Sequence, residues 1–119
     1  MSCFSNFAFA AAIALCSASV SRAEPISPQE ASRHVGSTVT VEGVVSQVST
    51  SNGGTTFINF GGRFPNHVFY AVIFESRAYE FPGVHGLEGR SVAISGTIEL
   101  YKGKPEIILQ SPDQLLLIE

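Results

Sequence analysis

The chain has 119 residues, room for one domain rather than two. Seven Lys and Arg against ten Asp and Glu give a net charge of −3 with His neutral. That balance argues against strong, sequence-independent nucleic-acid binding, where phosphate neutralisation supplies most of the affinity, and leaves room only for a local basic patch.

The first element in chain order is an apolar run, Phe7 to Leu15, reading FAFAAAIAL. It is too short to span a bilayer, which takes about 20 residues. Ser21 and Ala23 form the small pair that a signal peptidase accepts, so residues 1–23 read as a signal peptide and residues 24–119 as one mature domain. Met1 to Phe7 departs from the pattern by carrying no Lys or Arg, and the competing reading of the run is a buried N-terminal helix. Cys16 follows Leu15, not the small residue that precedes a lipoprotein cysteine. Cleavage after Ala23 removes Cys3, Cys16 and Arg22, leaving six basic against ten acidic residues, a net charge of −4. The mature domain then has no disulfide, thiolate nucleophile or Cys-based metal site. The expected location is the periplasm or the exterior, with no stable membrane insertion after cleavage.

Ser27-Pro28-Gln29-Glu30 is a helix start: Ser27 caps, Glu30 reaches back, and Pro28 suits the first position. Gly36 ends the run, which predicts two turns over Pro28 to Val35, packed by Ala31 and Val35. Thr38 to Thr50 is rich in β-branched residues and predicts a long first strand, with a bulge or bend at Gly43 that lets it serve both halves of a sheet. After the turn Ser51-Asn52-Gly53-Gly54 come a second strand, Thr55 to Phe60, and a third, His67 to Glu75, apolar on both faces and therefore central. A turn or two of helix is expected over Ser76 to Phe81, followed by loop. Arg90 to Tyr101 is a fourth strand, Lys102-Gly103-Lys104 a turn, Pro105 to Gln110 a fifth strand, and Leu115 to Ile118 a final docked segment.

The wording of three segments carries a resemblance. They are Val39 to Val45 (VTVEGVV), Phe57 to Gly62 (FINFGG) and Tyr101 to Ile107 (YKGKPEI), with the tail Ser111 to Leu115 (SPDQL) in the same pattern. Across nearly all of residues 24–119 the chain resembles OB-fold domains of the tRNA-anticodon-binding type, found also in exonuclease and helicase accessory domains, and small exported bacterial OB proteins of unassigned function. The resemblance implies an all-β fold: a five-stranded OB-type Greek-key barrel with a short N-terminal helix and a short helical connector between strands three and four. For function it implies only a binding module, because OB barrels take nucleic acids, sugars, peptides and small ligands.

No catalytic set emerges. His34, His67 and His85 lack metal-ligand spacing, and Asp113 stands in a Pro-flanked turn. Nothing pairs Glu75 with Glu80, and the pairs Gly53-Gly54 and Gly61-Gly62 lack the Lys-Ser/Thr of a phosphate loop. No enzymatic activity, metal or cofactor is expected.

In OB barrels the ligand usually crosses strands two and three, flanked by the loops after strands one and four. Ile58 and Phe60 are the core-facing pair of the second strand, which turns Phe57 and Asn59 to the binding face. Phe69 is the outward aromatic of the third strand, or Tyr70 if the phase is one residue off. Arg63 precedes that strand, and the last hairpin offers Tyr101, Lys102 and Lys104. Aromatics with a few cations around one groove are how single strands are held. Each has a plainer reading: Phe57 and Phe69 as core, and the lysines as a solvated turn. The leading partner is single-stranded nucleic acid. The alternative is an envelope protein, peptide or small ligand.

Overall fold

The computed structural model describes residues 24–118. The signal-peptide reading, with Cys3, Cys16 and Arg22, lies outside the described residues, as does Glu119.

Strand β1 (Thr38–Thr50) serves two partners. Thr38 to Val44 pair antiparallel with β4 (Ser91–Thr97), and Val45 to Thr50 with β2 (Thr56–Phe60). The register steps between Val45 and Gln47, so the bulge falls at Ser46 and not at Gly43. Gly43 stays in register opposite Val92. Its bareness serves another end: a Cβ there would sit 2.6 Å from Cγ of Pro28, so this is where the N-terminal turns lie against the sheet.

Those turns are a 3₁₀-helix, Pro28–His34, with the Ser27 amide donating to the Glu30 carboxylate at 2.9 Å. A three-residue period puts Pro28, Ala31 and His34 on one face. Pro28 and Ala31 are buried. Val35, expected to pack, falls off that face and is 45% exposed. Gly36 then turns the chain at φ 90°.

Strand β3 (Phe69–Ile73) is buried along its whole length, between β2 and β6 (Lys104–Ile108). Short 3₁₀ segments, Glu75–Glu80 and Val84–Leu87, connect it to β4; the second of these was expected to be loop. The expected fourth strand breaks at Ile98 into β4 and β5 (Glu99–Tyr101), and the tail pairs as β7 (Leu115–Leu117).

The all-β class holds. The closed five-stranded barrel does not appear in the hydrogen bonding, which instead forms an open seven-stranded sheet in the order β5-β6-β3-β2-β1-β4-β7. The two extra strands are the half split off at Ile98 and the tail. All pairs are antiparallel except β3 with β6. Because β4 and β5 are consecutive yet lie toward opposite ends of that order, the sheet curls until its flanks approach. A Cβ on Gly96 of β4 would lie 2.6 Å from Cγ2 of Ile107 in β6. The curl encloses one apolar core, with Val41, Ile58, Phe60, Phe69, Ile94 and Ile107 at 0% exposure among its members.

Candidate ligand-binding groove

Antiparallel partners in a sheet share a face. Phe60 pairs with Phe69, and both rings lie in the core with centroids 5.4 Å apart. Asn59 pairs with Tyr70, so Tyr70 faces out and the expected placement of Phe69 is corrected. The third strand is apolar on both sides, so its own pattern does not set its phase. The pairing with β2 does.

The outward face carries a polar row across five strands. Gln47 pairs with Asn59, Asn59 with Tyr70, Tyr70 with Glu106, and Glu106 with Glu99. Asn59, Tyr70 and Glu106 are buried in this row, so their polar atoms need partners. The Asn59 amide donates to Gln47 Oε1 at 3.0 Å, and the Tyr70 hydroxyl bonds to the Glu106 carboxylate. Burial raises the Tyr70 pKa first, and the Glu106 carboxylate adds to that. Burial also raises the Glu106 pKa, with Glu99 adding to it and the Tyr70 hydrogen bond opposing it.

The loop between β2 and β3 folds over one end of the row. Gly62 donates to Ser46 Oγ at 3.1 Å and Phe64 to Gln47 Oε1 at 2.8 Å. On the other side the Lys104 ammonium donates to the carbonyls of Pro65, at 2.7 Å, and His67, at 2.5 Å. The loop thus holds two rings that sequence reasoning did not place in the site, Phe64 and His67. His67 stands edge-on to Tyr70 with ring centroids 5.2 Å apart, and 5.8 Å from Phe64. Burial, then the Lys104 charge, lowers its pKa, so the ring is neutral at pH 7. Its Nδ1 is buried with no hydrogen-bond partner, an arrangement that costs about 1–3 kcal/mol.

The result is a groove of about 460 Å³ over the row. Of the residues expected in the site, Phe57, Asn59, Tyr101, Lys102 and Lys104 line it. Arg63 is exposed in the loop and is not part of the wall, and Phe69 is core. Ser49, Phe64, His67 and Tyr70 complete the lining. The β5–β6 hairpin turns through Lys102 at φ 51° and Gly103 at φ 84°, the left-handed pair of a tight two-residue turn. That turn carries the Lys102 ammonium over the Tyr101 ring, 5.4 Å from its centroid. Among the described residues no group of three or more His, Cys, Asp or Glu could hold a metal ion.

No known protein family matches the sequence, and no curated protein matches it. Its fold does have counterparts. Among solved structures it is similar to a chain assigned as an aspartyl-tRNA synthetase from Leishmania major Friedlin, with a TM-score of 0.54 at 16% identity. The match covers 91% of this chain and 23% of that one, so the likeness is to a part of the larger protein. At that identity it is a likeness of fold.

Proposed function

We propose that the protein is an exported OB-type binding module, without enzymatic activity, that holds single-stranded nucleic acid across β2 and β3. The observation that carries this reading is the groove, where Phe57, Phe64, Tyr70 and Tyr101 converge beside the Lys102 ammonium. Stacking on such rings contributes about 1–3 kcal/mol per base and tolerates any sequence. The position supports it too, since this is the face and hairpin where OB barrels take their ligands. The curl of the sheet, with its flanks approaching at Gly96 and Ile107, supports an OB-type reading of the fold. The structural counterpart is named as a tRNA-charging enzyme, which is in keeping with a nucleic-acid ligand. Export rests on the apolar run and the Ser21–Ala23 pair.

A second reading has its own support. The net acidity and the engagement of Lys104 with two carbonyls leave little positive charge at the groove. Both favour an envelope protein, peptide or uncharged small ligand.

Fluorescence anisotropy with labelled single-stranded DNA and RNA, at low and near-physiological salt and with duplex DNA as control, separates the two. Saturable binding that prefers single strands and weakens with salt is the expected result. No binding at low salt would sink the nucleic-acid reading and leave the second.

A further inference from the structure

Three polar groups of the groove wall are already engaged within the protein. The Asn59 amide is bonded to Gln47, the Tyr70 hydroxyl to Glu106, and the Lys104 ammonium to the backbone of the loop. Among the buried side-chain nitrogens and oxygens of the described residues, the one without a partner is a ring nitrogen, Nδ1 of His67. His67 is 6% exposed, lines the groove and packs edge-on to Tyr70. The side chain beside it, Phe64, is 72% exposed, with its ring centroid 5.8 Å from that of His67.

We propose that His67 is the specificity-determining residue of the groove, its Nδ1 accepting a hydrogen bond from the amino group of a nucleobase stacked against the wall aromatics. The inference rests on the nucleic-acid reading above and adds which bases are preferred: those carrying an amino group.

The chemistry favours acceptance over donation. A neutral imidazole has one N–H and one lone pair. Structures leave a buried acceptor bare more readily than a buried donor, which puts the proton on Nε2 and the lone pair on Nδ1. Burial and the neighbouring Lys104 charge both keep the ring neutral, so the lone pair is present at pH 7. A base with an amino group satisfies it, while a base of the same ring system without one stacks equally and leaves it bare. Sites built around a hydrogen bond discriminate in this way, because the unmatched ligand leaves a polar group unpaired.

The test compares labelled single strands of adenine nucleotides with strands in which every adenine is replaced by purine, which lacks only the amino group. The protein should bind the adenine strand about tenfold more tightly, roughly 1.4 kcal/mol. His67→Phe keeps a ring against Tyr70 and removes both nitrogens. It should abolish the preference, so that adenine and purine strands bind the variant equally. A readout independent of the variant's folding is the ¹⁵N resonance of His67 Nδ1, which should shift on adding the adenine strand and stay on adding the purine strand. Equal binding of the two strands by the unaltered protein, with saturation, overturns the role of His67 and leaves the nucleic-acid reading standing. A preference that survives in His67→Phe, or an Nδ1 resonance that ignores both strands, overturns it as well. Failure to bind either strand overturns the nucleic-acid reading itself, and this inference with it.

Discussion

The Lys104 ammonium donates to the backbone carbonyl of His67 at 2.5 Å, tying the β5–β6 hairpin to the loop that precedes β3. The same ammonium reaches the Pro65 carbonyl at 2.7 Å. A cation expected beside the ligand is thereby a brace for the groove wall.

Lys104→Met removes both bonds and keeps the stem of the side chain. The expected loss of stability is on the order of 1–2 kcal/mol, the low end for bonds to charged groups because Lys104 is only partly buried. Denaturant unfolding measures it. Oligonucleotide affinity should fall through disorder of the wall, with the salt dependence unchanged. A flatter salt dependence with full stability would instead make Lys104 a phosphate contact.

Lys102 has the opposite profile. It is exposed at φ 51°, a conformation that Asn tolerates, so Lys102→Asn removes the charge without straining the turn. Stability should stay within about 0.5 kcal/mol of the parent. The slope of log K against log salt for single strands should flatten by about 0.7, one phosphate contact. An unchanged slope would remove Lys102 from the binding surface.

Phe57 and Phe69 sit on neighbouring strands and face opposite ways. Phe69→Ala empties a core position at 0% exposure and should cost about 3–5 kcal/mol. Phe57→Ala, in the groove wall, should cost clearly less in stability and weaken binding by about 1–3 kcal/mol. Thermal melts and anisotropy titrations on both variants decide it. Equal destabilisation by the two would mean that Phe57 is core as well.

Glu106 predicts a pH dependence with a definite sign. Burial raises its folded pKa, so folding favours the neutral acid. That contribution is fully present below the unfolded carboxyl value and is lost as pH rises through the raised folded value. Glu106→Gln never ionises and still offers an oxygen to the Tyr70 hydroxyl. It should be more stable than the parent at pH 7, with the difference closing below about pH 4. A series of melts across that range checks it, and a variant less stable at pH 7 contradicts the assignment.

Much of this architecture is legible in the residue order. The β-branched run of β1, the glycine pairs that end strands, and the Lys102-Gly103 turn all act over a few residues, and each produced the expected element. The alternation in β2 correctly sent Ile58 and Phe60 inward and left Phe57 and Asn59 on the groove. Local chemistry misjudged the step in β1, because Gly43 answers to the ring of Pro28, a contact between separate elements.

The sequence by itself thus determined the first three strands, the tight turns and one face of the groove, because period, propensity and turn chemistry act between near neighbours; the break of the fourth expected strand at Ile98 lay beyond it. Only the tertiary structure decided which side of β3 faces the groove, that His67 is buried there with a bare nitrogen, and that Lys104 is bound to carbonyls. The physical reason is range. β3 is apolar on both faces, so its phase follows from pairing with β2, and Lys104 meets Pro65 and His67 across separations of 39 and 37 residues.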